Sequence, residues 1–313
     1  MVKLLTVDSG TTNTRLRLVE DGRVIQSFQA QAGARDGPDA IAAALSSLLR
    51  QAQSTEAQAV MFSGMITSPT GLIEIPHVAG PLSLERLRPL RHDFPQLSRL
   101  PFYFIPGVRI GEAGASPAFG DIIRGEETEL AGYLALHGPE GRRLFVHLGS
   151  HHKALQVTGG QLTGSCTAIT GELFMAAAEH TLLSSSLQLM DSFDSRWALE
   201  GAQVAEREGL SRALFALRLM DIREKLPMDA RMGWALGAFA QQDLAMLTPW
   251  MQTKHDQIVI YGRESFSRVL ALLLAQRWPE QKLTVLSQQE SDALAPAGAW
   301  LTYQNRKELE HDC

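Results

Sequence analysis

The residues Asp8-Ser9-Gly10-Thr11-Thr12-Asn13 place a carboxylate, a glycine and three hydroxyls in six positions, directly after the apolar run Leu4, Leu5 and Val7. That order suits phosphate. A glycine turn can aim backbone N–H groups and hydroxyls at phosphate oxygens, while the carboxylate reaches a magnesium ion through water. The same residues also fit an ordinary β-turn capped by Asp8 and Asn13. A second cluster, Arg124-Gly125-Glu126-Glu127-Thr128, stands at a helix start with Asp121 just upstream. Carboxylates there either complement the helix dipole or, with Arg124, bind a polyhydroxylated acid. Glu172, after Thr170-Gly171, carries the same two readings. Gly149-Ser150-His151-His152-Lys153 forms a third polar turn. His147, His151 and His152 lack the acidic or cysteine spacing of a metal site and read as donors in an anion-binding loop. Lys153 fits a phosphate contact and a strand-edge charge equally. The P-loop and Rossmann glycine patterns are both absent.

These clusters need elements to hold them. Leu4 to Val7, Arg15 to Val19 and Val24 to Phe28 read as three strands, the last two joined by an Asp21-Gly22 turn. Ile41, Leu45, Leu48 and Leu49 form the stripe of a helix opened by Pro38, and Ala57 to Phe62 reads as a further strand. Residues 69–101, rich in Pro, Gly and Arg, read as an insertion with one short helix around Leu84 to Leu90. After a helix from Gly125 to Leu136 the opening pattern returns: Gly149 corresponds to Gly10, and Gly160 to Gly22. The return implies a duplicated domain. Helices follow at Glu172 to Leu183, Leu210 to Arg223, Ala230 to Leu247, Ser265 to Arg277 and Asp292 to Leu309, with strands at Gln257 to Tyr261 and Lys282 to Leu286. Gly233 and Gly237 mark close helix packing.

The chain has 313 residues, enough for two domains, and a net charge of −5 that offers no grip on nucleic acid. Its 45% hydrophobic content permits a sizeable core, and no apolar run reaches the ~20 residues of a membrane span. Asp8 interrupts the N-terminal apolar run, which reads as a strand rather than a secretion signal. Two cysteines, Cys166 and Cys313, make no disulfide framework, so a cytoplasmic location is expected.

Six stretches, Asp8 to Arg15, Gly64-Met65, Ile105-Pro106-Gly107, Asp121 to Thr128, Gly149 to Lys153 and Thr170 to Leu173, together resemble the 2-dehydro-3-deoxygalactonokinase family, within the actin and sugar-kinase superfamily. Each stretch alone is weak; their joint order is specific. Thr67 stands where that family usually carries glycine, and Leu148 where more distant relatives lead the second phosphate loop with Asp. The resemblance implies two α/β domains of ribonuclease-H-like (actin-like ATPase) type with a nucleotide cleft between them. Residues 1–140 would form the sugar-acid side and 141–289 the nucleotide side, with 290–313 a helix packing back on the first domain. It implies ATP and Mg²⁺ as cofactors, with Asp8 facing the metal. Gly10, Thr11, Thr12, Asn13, Arg15, Gly149, Ser150, His151, Lys153 and Gly262 would hold the nucleotide. Gly64, Met65, Arg124, Glu127 and Glu172 would hold the sugar acid. Glu126 ranks first as catalytic base and Asp121 second. The expected partners are the sugar acid and ATP, with no nucleic acid and no membrane; homodimerisation is left open. The alternatives are a kinase of another 2-keto-3-deoxy sugar acid and a non-catalytic sugar-acid sensor of the same fold.

Overall fold

The computed structural model describes residues 2–52, 55–111 and 120–306. The chain divides into two compact units, one of residues 1–140, 157–165 and 292–313, the other of residues 141–156 and 166–291.

The first unit begins with β1 (Lys3–Ser9), β2 (Thr14–Glu20) and β3 (Arg23–Ala30), paired antiparallel, then α1 (Pro38–Gln51) and β4 (Val60–Gly64). Short strands follow: β5 (Val78–Ala79), β6 (Leu82–Ser83), β7 (Leu90–Arg91), β8 (Phe102–Phe104), β9 (Val108–Ile110) and β10 (Asp121–Ile123). Then comes α2 (Glu126–His137). The main sheet runs β3-β2-β1-β4-β8-β7, with β4 parallel to β1 and β8 parallel to β4; β10-β9-β5 form a small separate sheet. Alternation along β1 sets its two faces. Leu5 and Val7 join Phe62, Phe102 and Phe104 under Ile41, Leu45 and Leu48 of α1, whereas Leu4 packs with Met61 and Ile105 on the opposite face. Asp8 shares the Leu4 face by the same period.

The expected helix at Leu84 to Leu90 is instead a single 3₁₀ turn, Leu84–Arg86, followed by β7. Pro89 cannot donate to a helical ladder and biases Arg88 towards extended backbone, so the turn does not propagate.

The second unit contains β11 (Arg142–Leu148), β12 (His152–Thr158), β13 (Gln161–Ala168), α3 (Thr170–His180), α4 (Ser195–Glu208), α5 (Leu210–Ile222), α6 (Met228–Leu247), β14 (Gln257–Gly262), α7 (Glu264–Arg277) and β15 (Leu283–Val285). The tip of the β12–β13 hairpin, residues 157–165, belongs to the first unit, where Leu162 and Gln161 pair with Leu82 and Ser83. The strand order β13-β12-β11-β14-β15, with β14 parallel to β11 and β15 parallel to β14, repeats the order β3-β2-β1-β4-β8 of the first unit. Both sheets are therefore ribonuclease-H-like. α4, absent from the sequence expectation, buries Ala198, Gly201, Ala202 and Ala205, and a side chain at Gly201 would meet the Trp234 carbonyl of α6. Gly233 and Gly237 of α6 press on Asp194 and Ala198 in the same contact.

The final helix, α8 (Gln288–Asn305), brings Ala299 and Tyr303 onto Leu4 and Met61. It meets α2 so closely that a Cβ at Gly132 would strike the Leu294 carbonyl, and one at Gly298 the Thr128 carbonyl. The expected extension of this helix to Leu309 lies outside the described residues.

Candidate active site

In the first unit β1 ends in a stiff loop. The Gly10 N–H donates to the Asn13 carbonyl at 2.9 Å, and the carbonyls of Gly10 and Thr11 accept from Ala34 and Arg35 at 3.0 Å each. Ser9 and Thr14 share a hydroxyl contact at 2.9 Å across its base. Gly33 lies against the Thr11–Thr12 backbone with no room for a Cβ. The backbone N–H groups of Thr11 and Thr12 have no acceptor among the described residues, and Thr12 is exposed. Such a loop is preformed for an anion. Arg15, opposite Asp8 on β2, lies 3.8 Å from Asp292 of α8; Arg17 lies 3.7 Å from the same carboxylate.

Two glycines join that loop to α2. Gly64 ends β4 at φ 79°, and a Cβ there would lie 2.5 Å from the Ser9 carbonyl and 3.1 Å from Asp8 Oδ1. Gly125, at φ 118°, precedes α2, and its Cβ would approach Gly64 Cα to 3.3 Å. Asp8, Gly64 and the start of α2 thus converge, with Met65 next in the chain. Glu126, 7% exposed, accepts from the Arg124 backbone N–H at 3.1 Å. Glu127 is fully buried and takes the Gly125 N–H on both oxygens, at 3.0 and 2.8 Å, and the Thr128 hydroxyl at 3.0 Å. Burial, reinforced by the Glu126 charge, pushes its carboxyl up to about 7. Both glutamates therefore cap the helix mouth, and the capping and functional readings coexist at Glu126.

Arg124 does not present a free fork. Its guanidinium donates to the Thr67 carbonyl at 2.6 Å, the Thr67 hydroxyl and the Ile75 carbonyl at 2.8 Å, and lies 3.2 Å from both ring nitrogens of His77. The Thr67 hydroxyl, standing where glycine was expected, is one of its partners. His77 carries no signature in the sequence, yet the Gly107 backbone lies against its ring, and burial followed by the Arg124 charge lowers its pKa. Asp121 opens β10 opposite Ile110, three residues before Arg124.

In the second unit the corresponding loop lies between β11 and β12. Gly262 ends β14 as Gly64 ends β4, and its Cβ would lie 2.6 Å from the Leu148 carbonyl. By this register the counterpart of Asp8 is His147, opposite Tyr261, and not Leu148, which pairs with Gly262 as Ser9 pairs with Gly64. This agrees with the correspondence of Gly10 and Gly149, which carries Asp8 to His147. Ser150 is exposed; its carbonyl accepts from the Glu172 N–H at 2.9 Å, and Gly171 packs on the Gly149 and Ser150 carbonyls. His151 Nε2 lies 3.5 Å from Glu172 Oε1, so Glu172 stands with this loop. Lys153, 7% exposed, is not a solvated edge charge. His152 and Thr170 both bond to Asp243 of α6, a residue with no local sequence signal.

The chain matches the sequence pattern of the 2-keto-3-deoxy-galactonokinase family over residues 8–300. It is 23% identical over 272 residues to the 2-dehydro-3-deoxygalactonokinase of Escherichia coli (strain K12), covering 85% of this chain and 87% of that one. A Rhizobium meliloti (strain 1021) protein bearing the same name is 29% identical over 192 residues, a match spanning 60% of each chain. A crystal structure of a Sinorhizobium meliloti protein under that name has the same fold, with a TM-score of 0.78 at 20% identity over 96% of this chain and 98% of that one.

Proposed function

The chain belongs to the 2-keto-3-deoxy-galactonokinase family, and from that premise we propose that it transfers the γ-phosphoryl group of ATP to the O6 hydroxyl of 2-dehydro-3-deoxy-D-galactonate. The observation that carries this reading is the convergence of Asp8, Gly64 and the mouth of α2, which sets a phosphate-type loop beside two carboxylates in one unit.

The acceptor side comprises Gly64, Met65 and the helix mouth, with Arg124 bracing Thr67, Ile75 and His77 so that their backbone presents a fixed wall. Phosphoryl transfer asks the protein for positioning and charge neutralisation. Glu126 accepts the O6 proton as the oxygen–phosphorus bond forms, and the electrons of the broken β,γ bond leave on ADP; Asp121 is the second choice of base. The Thr11 and Thr12 N–H groups are the phosphate donors of the first unit; Gly149, Ser150, His151 and Lys153 are those of the second. Magnesium fits Asp8 on one ground: Gly64 leaves the flank of Oδ1 without a side chain. No cluster of three or more metal-ligating side chains occurs among the described residues, and Mg²⁺ bound by phosphates and water needs only one carboxylate. When bound there, it neutralises charge on the phosphates.

No described helix is long and apolar enough to cross a membrane, and we assign the reaction to the cytoplasm, where ATP is supplied. A coupled assay of ADP release over a panel of 2-keto-3-deoxy sugar acids tests the proposal. Turnover with the galactonate derivative well above that with its epimers is expected. Turnover with no acceptor in the panel sinks it and leaves a sensor of the same fold.

A further inference from the structure

Asp243 lies in the C-terminal part of α6 and is 0% exposed, yet its carboxylate is divided between two other elements. Oδ2 lies 2.8 Å from His152 Nδ1, and Oδ1 accepts from the Thr170 hydroxyl, also at 2.8 Å. His152 is the first residue of β12, directly after the 149–151 loop, and Thr170 is the first residue of α3. Two positions further on, the Glu172 N–H holds the Ser150 carbonyl. One carboxylate therefore fixes both the exit of the loop and the helix end that grips its middle.

This arrangement is a poor choice for stability alone. A buried carboxylate loses its hydration, and replacing a buried polar cluster by apolar groups of similar volume is often neutral or stabilising. The carboxylate only accepts, so Nδ1 of His152 carries the proton towards it. Nε2 is then buried with no partner among the described residues, in a ring set edge-on to Phe266 at 4.8 Å between centroids. An unsatisfied buried nitrogen is a further cost. What the cluster supplies in return is a defined geometry between β12 and α3, which apolar contacts would leave freer to slide.

We propose that Asp243 is a positioning residue for the nucleotide: acting through His152 and Thr170, it sets the 149–151 loop to receive phosphate oxygens. The proposal rests on the assignment of that loop to the nucleotide. Thr170→Val removes one hydrogen bond at nearly constant volume and Thr170→Ser keeps it; Asp243→Asn removes the charge and replaces one of the two acceptor oxygens by an amide donor. For each, the KM values for ATP and for the sugar acid, kcat, the Kd of MgADP by calorimetry and the melting temperature are measured. Thr170→Val is expected to raise the KM for ATP and the Kd of MgADP about tenfold, the worth of one hydrogen bond to a charged group. The sugar-acid KM should stay within about twofold, and Thr170→Ser should recover most of the nucleotide affinity. Lowered melting temperatures in Thr170→Val and Asp243→Asn with unchanged MgADP affinity would overturn the proposal and leave a structural core cluster. If Asp243→Asn does not fold, the Thr170 pair decides alone. Ser150→Asp, a charge placed in the exposed loop, reads the loop assignment separately. Undiminished MgADP binding there refutes that assignment and the proposal with it. Weakened binding there, with Thr170→Val unaffected, refutes only the positioning role.

Discussion

The carboxylates of Glu126 and Glu127 stand side by side at the mouth of α2. Glu127 is buried beside Glu126 and holds its proton up to about pH 7 against a reference of 4.5. The folded state binds that proton more tightly than the unfolded chain, so the stabilisation is complete below about pH 4.5 and is lost as pH rises through about 7. The loss amounts to up to about 3 kcal/mol. Urea unfolding at pH 5 and pH 8 should show it in the parent and a flatter dependence in Glu127→Gln; equal slopes would place the titration elsewhere. Glu126→Gln keeps size and most hydrogen bonding and should reduce kcat by roughly 10²-fold, with MgADP binding little changed. Near-normal kcat in that variant, beside an inactive Asp121→Asn that still binds nucleotide, moves the base to Asp121. At this scale the sequence displays which residue types could act, but not their partners. Arg124 finds Thr67, Ile75 and His77 at separations of 57, 49 and 47 residues, and Asp243 finds His152 and Thr170 at 91 and 73. No local pattern encodes such distances, so the guanidinium bonds of Arg124 and the contacts of Asp243 were invisible.

Elements with strong periodicity were readable because burial imposes the period. The stripe of α1, the β1–β2–β3 meander and the returning strand pattern of β11–β13 all stand near their expected residues. Helix α4 was not, although its two faces differ clearly in polarity, because its buried stripe is Ala198, Gly201, Ala202 and Ala205 with no large apolar side chain to mark it. The strands β5 to β10, two or three residues each, are too short to show alternation. Close helix contacts carry a prediction of their own. Gly298→Ala drives a methyl into the Thr128 carbonyl, and about 1–3 kcal/mol of destabilisation is expected, read as a lower midpoint in denaturant. Gly132→Ala should cost a similar amount, and the double variant less than the sum, because the two helices need separate only once. Strict additivity would mean that the two contacts are independent.

The molecule carries separate cores. Leu5, Phe62 and Phe104 belong to one cluster and Leu144, Ile258 and Phe239 to another. Calorimetry should accordingly yield more than one transition, with a van't Hoff enthalpy below the calorimetric value, and MgADP should raise one transition more than the other. A single two-state transition would contradict independent cores. The repeat of strand order between the units was foreshadowed by the paired glycine turns, whereas no local pattern marks residues 157–165 and 292–313 as parts of the first unit.

The same discontinuity has a consequence for how the chain is made. Leu4, Met61 and Ile105 leave the ribosome early, but Ala299 and Tyr303, which cover them, emerge with α8. The 150 residues between α2 and α8 take roughly 8–30 s to synthesise at about 5–20 residues per second. Throughout that interval the first-made half of the protein exposes an uncovered apolar sheet face to solvent. The polypeptide that begins to fold first is thus the last to finish. A nascent chain stalled before α8 should bind holdase chaperones and be cut readily by protease within residues 1–140, and release of the full chain should end both.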